Sequence, residues 1–121
     1  MRRAAVVVVA AGALLAAPAG ARAPARMLVT AREWSVTLSR GTAPAGALTV
    51  QLYDRGQDAH DLNIRRLTRR GRKRGPAQRV ALTQSGGLSQ ASWHLRPGRY
   101  ELYCSLPGHE RRGMRAFLTV G

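Results

Sequence analysis

The stretch Tyr100-Glu101-Leu102-Tyr103-Cys104-Ser105-Leu106-Pro107-Gly108-His109-Glu110-Arg111-Arg112-Gly113-Met114 decides how this 121-residue chain is read. Cys104, His109 and Met114 follow one another at intervals of five. A soft thiolate, a borderline imidazole and a weak thioether in one short loop suit a metal that cycles between Cu(I) and Cu(II). A trigonal set around such an ion needs a second imidazole. His60 supplies it in Ala59-His60-Asp61-Leu62-Asn63-Ile64, where Leu62 and Ile64 begin the alternation of a half-buried strand. Pro107 and Gly108 shape the loop rather than bind, since one fixes φ and the other frees it.

Outward from that loop the chain reads as β structure. Trp34-Ser35-Val36-Thr37-Leu38 and Leu48-Thr49-Val50-Gln51-Leu52-Tyr53 alternate apolar and polar residues on either side of turn-forming Arg40-Gly41-Thr42-Ala43-Pro44-Ala45-Gly46. Further strands are expected over His60–Leu67, Ala91–Leu95, Arg99–Cys104 and Arg115–Val120. Short strands at this spacing predict an all-β Greek-key β-sandwich. The loop between its last two strands then lies at one end, where His60 reaches it from the edge of a neighbouring strand. Trp34 and Trp93 read as core aromatics, His94 as a surface residue, and Met27 as a lone thioether without a partner.

An Ala-His-Asp-Leu-Asn-Ile segment followed by a Tyr-x-Tyr-Cys-x4-His-x4-Met loop and a closing Leu118-Thr119-Val120 strand resembles the small plastocyanin-like cupredoxins, the type 1 blue copper proteins. The resemblance runs from about Trp34 to Val120. It implies one mononuclear copper bound by His60, Cys104, His109 and Met114, with Met114 as the weak axial donor, and transfer of single electrons between redox partners. It also offers Tyr103 as a second electron route beside Cys104; the plain reading of Tyr103 is a strand aromatic that points away from the site. The family often has Asn after the first histidine, and this chain has Asp61. The Asp61 side chain is expected to accept from the Ser105 region and its N–H to approach the Cys104 sulfur. A copper enzyme is not expected, because beyond His60 and His109 only His94 remains, and a binuclear site would need a second cysteine in the loop. The alternative is a copper-binding protein for capture or delivery outside the cytoplasm.

The N-terminus reads as an export signal. Met1-Arg2-Arg3 is a basic start, residues 4 to 17 are a run of Ala, Val, Gly and Leu, and residues 18 to 25 hold small-residue cleavage options. Cleavage after Ala21 fits best, with residue 25 as the latest choice, leaving one domain over residues 22–121 in the periplasmic or extracellular space. Cys104 is the only cysteine, so no disulfide forms within the chain, and a thiol kept in an oxidising compartment points to metal ligation.

Lys and Arg number 20 against 6 acids, a net charge of +14. Arg65-Arg66-Leu67-Thr68-Arg69-Arg70-Gly71-Arg72-Lys73-Arg74 concentrates the excess at a strand end and hairpin tip, outside the ligand loop and without an aromatic residue. An acidic redox partner or an anionic membrane surface is the expected partner for this segment if it is more than a solvated loop. Nucleic acid is not expected, because the chain is exported and no aromatic is there to stack, and the protein is read as a monomer.

Overall fold

The computed structural model describes residues 12–13 and 23–121, so the expected signal peptide over residues 1–21 lies outside the described residues apart from Gly12 and Ala13. Nine strands run in chain order: β1 Ala25–Arg32, β2 Ser35–Leu38, β3 Thr42–Ala43, β4 Gly46–Asp54, β5 His60–Leu67, β6 Lys73–Thr83, β7 Leu88–Leu95, β8 Gly98–Tyr103 and β9 Arg115–Val120. They form a four-stranded sheet in the order β2-β1-β4-β7 and a five-stranded sheet in the order β3-β9-β8-β5-β6. The expected all-β sandwich is therefore present. Alternation builds its core: Leu48, Val50 and Leu52 of β4 are buried on one side, facing the second sheet's Leu62, Ile64, Leu102 and Leu118. Trp93 is the largest wholly buried side chain, and its indole N–H donates to the Arg79 carbonyl 3.3 Å away.

Three strands were not expected. β1 pairs in parallel with β4 and buries Met27, Val29 and Ala31, so Met27 is a core residue rather than a free thioether. β3 is a two-residue bridge to β9 inside the expected Arg40–Gly46 connector. β6 is an edge strand whose register slips opposite Ile64 and Arg66, with Gly75 and Pro76 in the slip. Proline without an N–H is tolerated at such an edge irregularity, and Lys73, Arg74 and Arg79 discourage another chain from pairing there.

Strand direction sets what meets where. β1 and β4 run together and finish at Arg32 and Asp54, beside the start of β5 at His60. β8 runs antiparallel to β5, pairing Asn63 with Tyr103 and Arg66 with Tyr100, so its last residue and Cys104 also reach the His60 end. The hairpin after Leu67 and the turn before Gly98 lie at the other end, on the order of 20 Å away along β5.

Candidate metal centre

The loop from Cys104 to Met114 closes on itself. The Cys104 N–H donates to the Met114 carbonyl at 3.1 Å and the Met114 N–H to the His109 carbonyl at 3.1 Å, so the backbone draws these three residues together. Cys104 and Met114 are wholly buried, whereas His109 is only partly so. The Cys104 sulfur stands 3.6 Å from His109 Nδ1, and the His60 and His109 ring centroids are 5.3 Å apart. His60 is wholly buried. The structure thus brings the four expected residues to one end of the sandwich.

Asp61 behaves as the sequence leads one to expect. Its carboxylate accepts from the Ser105 N–H at 2.7 Å and from the Ser105 hydroxyl, and also from the Asn63 amide at 3.0 Å. Burial pushes the Cys104 thiol above its ordinary value, while the backbone N–H groups of Leu106 and Asp61 at the sulfur act in the opposite sense. Without a metal this sulfur favours the protonated form; a bound cation reverses that preference.

Two carboxylates that the sequence did not single out hold His60. Asp54, wholly buried, lies with Oδ2 3.1 Å from His60 Nδ1 and accepts from the Gly56 N–H with Oδ1 at 2.8 Å. Glu33 lies 3.2 Å from His60 Nε2, out of hydrogen-bond alignment, which leaves that buried nitrogen without a hydrogen-bond partner. Glu33 is itself fixed by the N–H groups of Asp58 at 2.8 Å and Gln57 at 3.0 Å, which hold its carboxyl well down at about 2. Gly56 makes room for it, because a Cβ there would stand 2.5 Å from Glu33 Oε1.

The neighbouring residue completes the clamp. Trp34, expected in the core at the head of a strand, instead occupies the β1–β2 turn, is 37% exposed, and meets the His109 ring edge-on at 5.0 Å. The Arg112 guanidinium covers its outer face at 4.5 Å. Gly113 backs onto this turn: its φ of 123° and the 2.8 Å from its Cβ position to the Trp34 carbonyl both exclude a side chain. Two adjacent residues, Glu33 and Trp34, therefore contact both histidines. A carboxylate and an aromatic in a break between two strands, with Arg55-Gly56-Gln57-Asp58 just before His60, were the available signal.

The basic segment is also corrected. Lys73 does not lie apart from the ligand loop: its ammonium pairs with Glu110 of that loop, stands 3.9 Å from Glu101, and sits over the Tyr103 ring at 4.1 Å. Burial, then the Glu110 hydrogen bond, raises the Glu101 carboxyl; Glu110, though burial pushes it up, is held low by Lys73. Tyr103 packs on this outer network. Its side chain belongs to the strand's outer face, in line with the plainer reading.

No family model and no curated protein sequence matches the chain. Solved structures do. Sodium-dithionite-reduced auracyanin from Roseiflexus castenholzii superposes with a TM-score of 0.67 at 17% identity, covering 83% of this chain and 99% of that one. Auracyanin A from Chloroflexus aurantiacus, described as a "blue" copper protein, gives 0.63 at 12% identity over 82% of this chain and 100% of its own. Rusticyanin from Thiobacillus ferrooxidans gives 0.65 at 17% identity, over 79% and 76% of the two chains. The chain has the cupredoxin fold. In that fold's terms, the described end of this sandwich that gathers Cys104, His109, Met114 and His60 is the candidate centre. Among the described residues no three His, Cys, Asp or Glu side chains already stand as a metal cluster.

Proposed function

We propose that this cupredoxin-fold protein carries single electrons through one mononuclear copper held by His60, Cys104, His109 and Met114. The 3.6 Å approach of the Cys104 sulfur to His109 Nδ1, in a loop whose buried ends Cys104 and Met114 are joined by a backbone hydrogen bond, carries the reading. One thiolate, two imidazoles and a thioether make a donor set that fits type 1 copper, and the buried His60 Nε2, which has no hydrogen-bond partner, supports that fit. Bound copper would supply reversible one-electron redox chemistry.

The chain's own residues set the conditions. The N–H groups of Leu106 and Asp61 lower the charge density on the Cys104 sulfur. Asp54 at Nδ1 and Glu33 at Nε2 flank the His60 ring, so whichever nitrogen would bind copper, the carboxylate at the other would hold the ring, as second-layer carboxylates do for metal-bound histidines. Trp34 shields His109 edge-on, and the loop's internal hydrogen bonds keep it in one shape, so little rearranges when the electron count changes. Only three histidines occur in the chain, and His94 lies exposed on β7, which supports a carrier over a copper enzyme with a second centre. An exported location accords with the N-terminal sequence.

The deciding experiment is to load the purified protein with copper and record its visible and paramagnetic-resonance spectra. An intense thiolate-to-copper charge-transfer band is expected at one copper per chain, and Cys104→Ser should abolish it. An identical band in that variant would remove Cys104 from the ligand set and the proposal with it.

A further inference from the structure

We infer that the end of the sandwich opposite the candidate metal centre is a binding face for an anionic lipid bilayer. Two clefts adjoin there. One, of about 470 Å³, is lined by Arg66, Arg74, Arg96 and His94; the other, of about 380 Å³, shares Arg66 and adds Arg69 and Arg99. Arg70 and Arg72 project from the hairpin turn beside them, which the Thr68 N–H and the Arg72 carbonyl close at 2.8 Å. All seven arginines are exposed.

The walls of these clefts are fixed while their cations are unmatched. The Gln78 side chain clips β6 to β7 by donating to the His94 carbonyl at 2.9 Å and accepting the His94 N–H at 3.0 Å. The Tyr100 hydroxyl donates to the Arg96 carbonyl at 2.8 Å, and Arg65 Nε to the Gly75 carbonyl at 2.9 Å. Arg66 lies flat over Gly98, with Nη2 3.0 Å from where a Cβ would stand. Among the described residues no ion pair involves any of the seven arginines. The chain's 6 acids are elsewhere: Glu33, Asp54, Asp58 and Asp61 around His60, Glu110 in the ligand loop, and Glu101 buried beneath Lys73.

The occupant follows from three features. Guanidinium forks match phosphate oxygens in pairs, and clefts of this size accept a headgroup each. Residues 65–74 hold no aromatic side chain, which argues against stacked nucleobases. An acidic redox partner seated here would be on the order of 20 Å from Cys104 along the strands, too far for useful electron exchange, whereas a bilayer here leaves the candidate centre free.

The test uses the full chain at low salt with vesicles of phosphatidylcholine alone and of phosphatidylcholine mixed with phosphatidylglycerol, binding read by flotation. Insertion of the apolar run of residues 4 to 17 acts on both vesicles, so the difference isolates charge. Tighter binding to the mixed vesicles is expected, lost progressively with salt. Replacing Arg69, Arg70, Arg72 and Arg96 together with Gln should weaken that binding by about 100-fold or more. A control with Arg32, Arg55, Arg79 and Arg111 replaced by Gln removes the same charge from other parts of the surface, and should lose less than about tenfold. Equal binding to both vesicle types overturns the inference, as do equal losses in the two variants. Because the metal takes no part, metal-free protein should behave alike, and a failure here is separable from a failure of the copper reading.

Discussion

Glu33 shows how one side chain couples acid stability to the candidate centre. Its carboxyl titrates at about 2 in the folded chain, through the N–H groups of Asp58 and Gln57, against an ordinary value of 4.5. A lowered folded value means the unfolded chain binds the proton more readily, so the stabilisation is complete above about 4.5 and disappears as pH falls towards 2. Glu33→Gln is expected to flatten this part of the acid limb in denaturant unfolding of the metal-free protein and to lower stability at neutral pH. Copper affinity, read by chelator competition, decides which His60 nitrogen takes the metal: a fall of about 10- to 100-fold, the usual cost of losing a group that orients a metal-bound histidine, marks Nδ1, and an unchanged affinity marks Nε2. A pH profile that matches the parent's would show that Glu33 plays no such part. Met114 is expected to act differently, because a thioether beside a thiolate and two imidazoles is a weak donor. Met114→Leu should retain copper and raise the reduction potential; complete loss of copper, or an unmoved potential in voltammetry, would reject the axial role.

At the level of elements, the legible strands were those whose alternation is uninterrupted. β5 and β9 have the limits their sequences suggest, because Leu62 and Ile64, or Leu118 and Val120, face one core. β6 hid among Arg, Gly and Pro residues, since an edge strand covered on one side needs few apolar positions, and Val80 is the only strongly apolar side chain it buries. β1 was harder to read because it follows residues expected to form an export signal and carries Arg26 and Arg32 within a short apolar alternation. That Cys104, His109 and Met114 gather at one end was legible because their spacing is local, whereas the approach of Glu33 and Asp54 to His60 was not, because they meet it only through the packing of β1 and β4. Lys73 is a further contact of that kind, joining β6 to the ligand loop. Lys73→Met should leave Glu110 and the buried Glu101 without their cation and lower stability by about 1–2 kcal/mol, since removing one partner from a partly buried pair costs more than an exposed pair is worth. Thermal unfolding of the metal-free variant measures the loss. Faster amide exchange at residues 108–113 is expected alongside it, with the copper spectrum preserved.

For the whole molecule, the separation of charge along the long axis decides which cations can steer a redox partner. The hairpin arginines stand on the order of 20 Å from the candidate centre along β5. The Debye length is about 10 Å at 0.1 M salt, so their field is largely screened where an electron would leave. Arg111 and Arg115 are placed otherwise, lining an open cleft of about 410 Å³ with Cys104, Ser105 and Leu106. An acidic partner docked in that cleft lies against Cys104 and the residues that follow it. Arg111→Gln with Arg115→Gln is therefore expected to slow electron transfer with an acidic partner and flatten its dependence on ionic strength, while Arg69→Gln with Arg70→Gln changes both far less. Stopped-flow rates across a salt series compare the two pairs at equal net charge. If the hairpin pair proves the more damaging, the partner docks at the far end and the electron must cross the length of the sandwich, contrary to the arrangement of the loop.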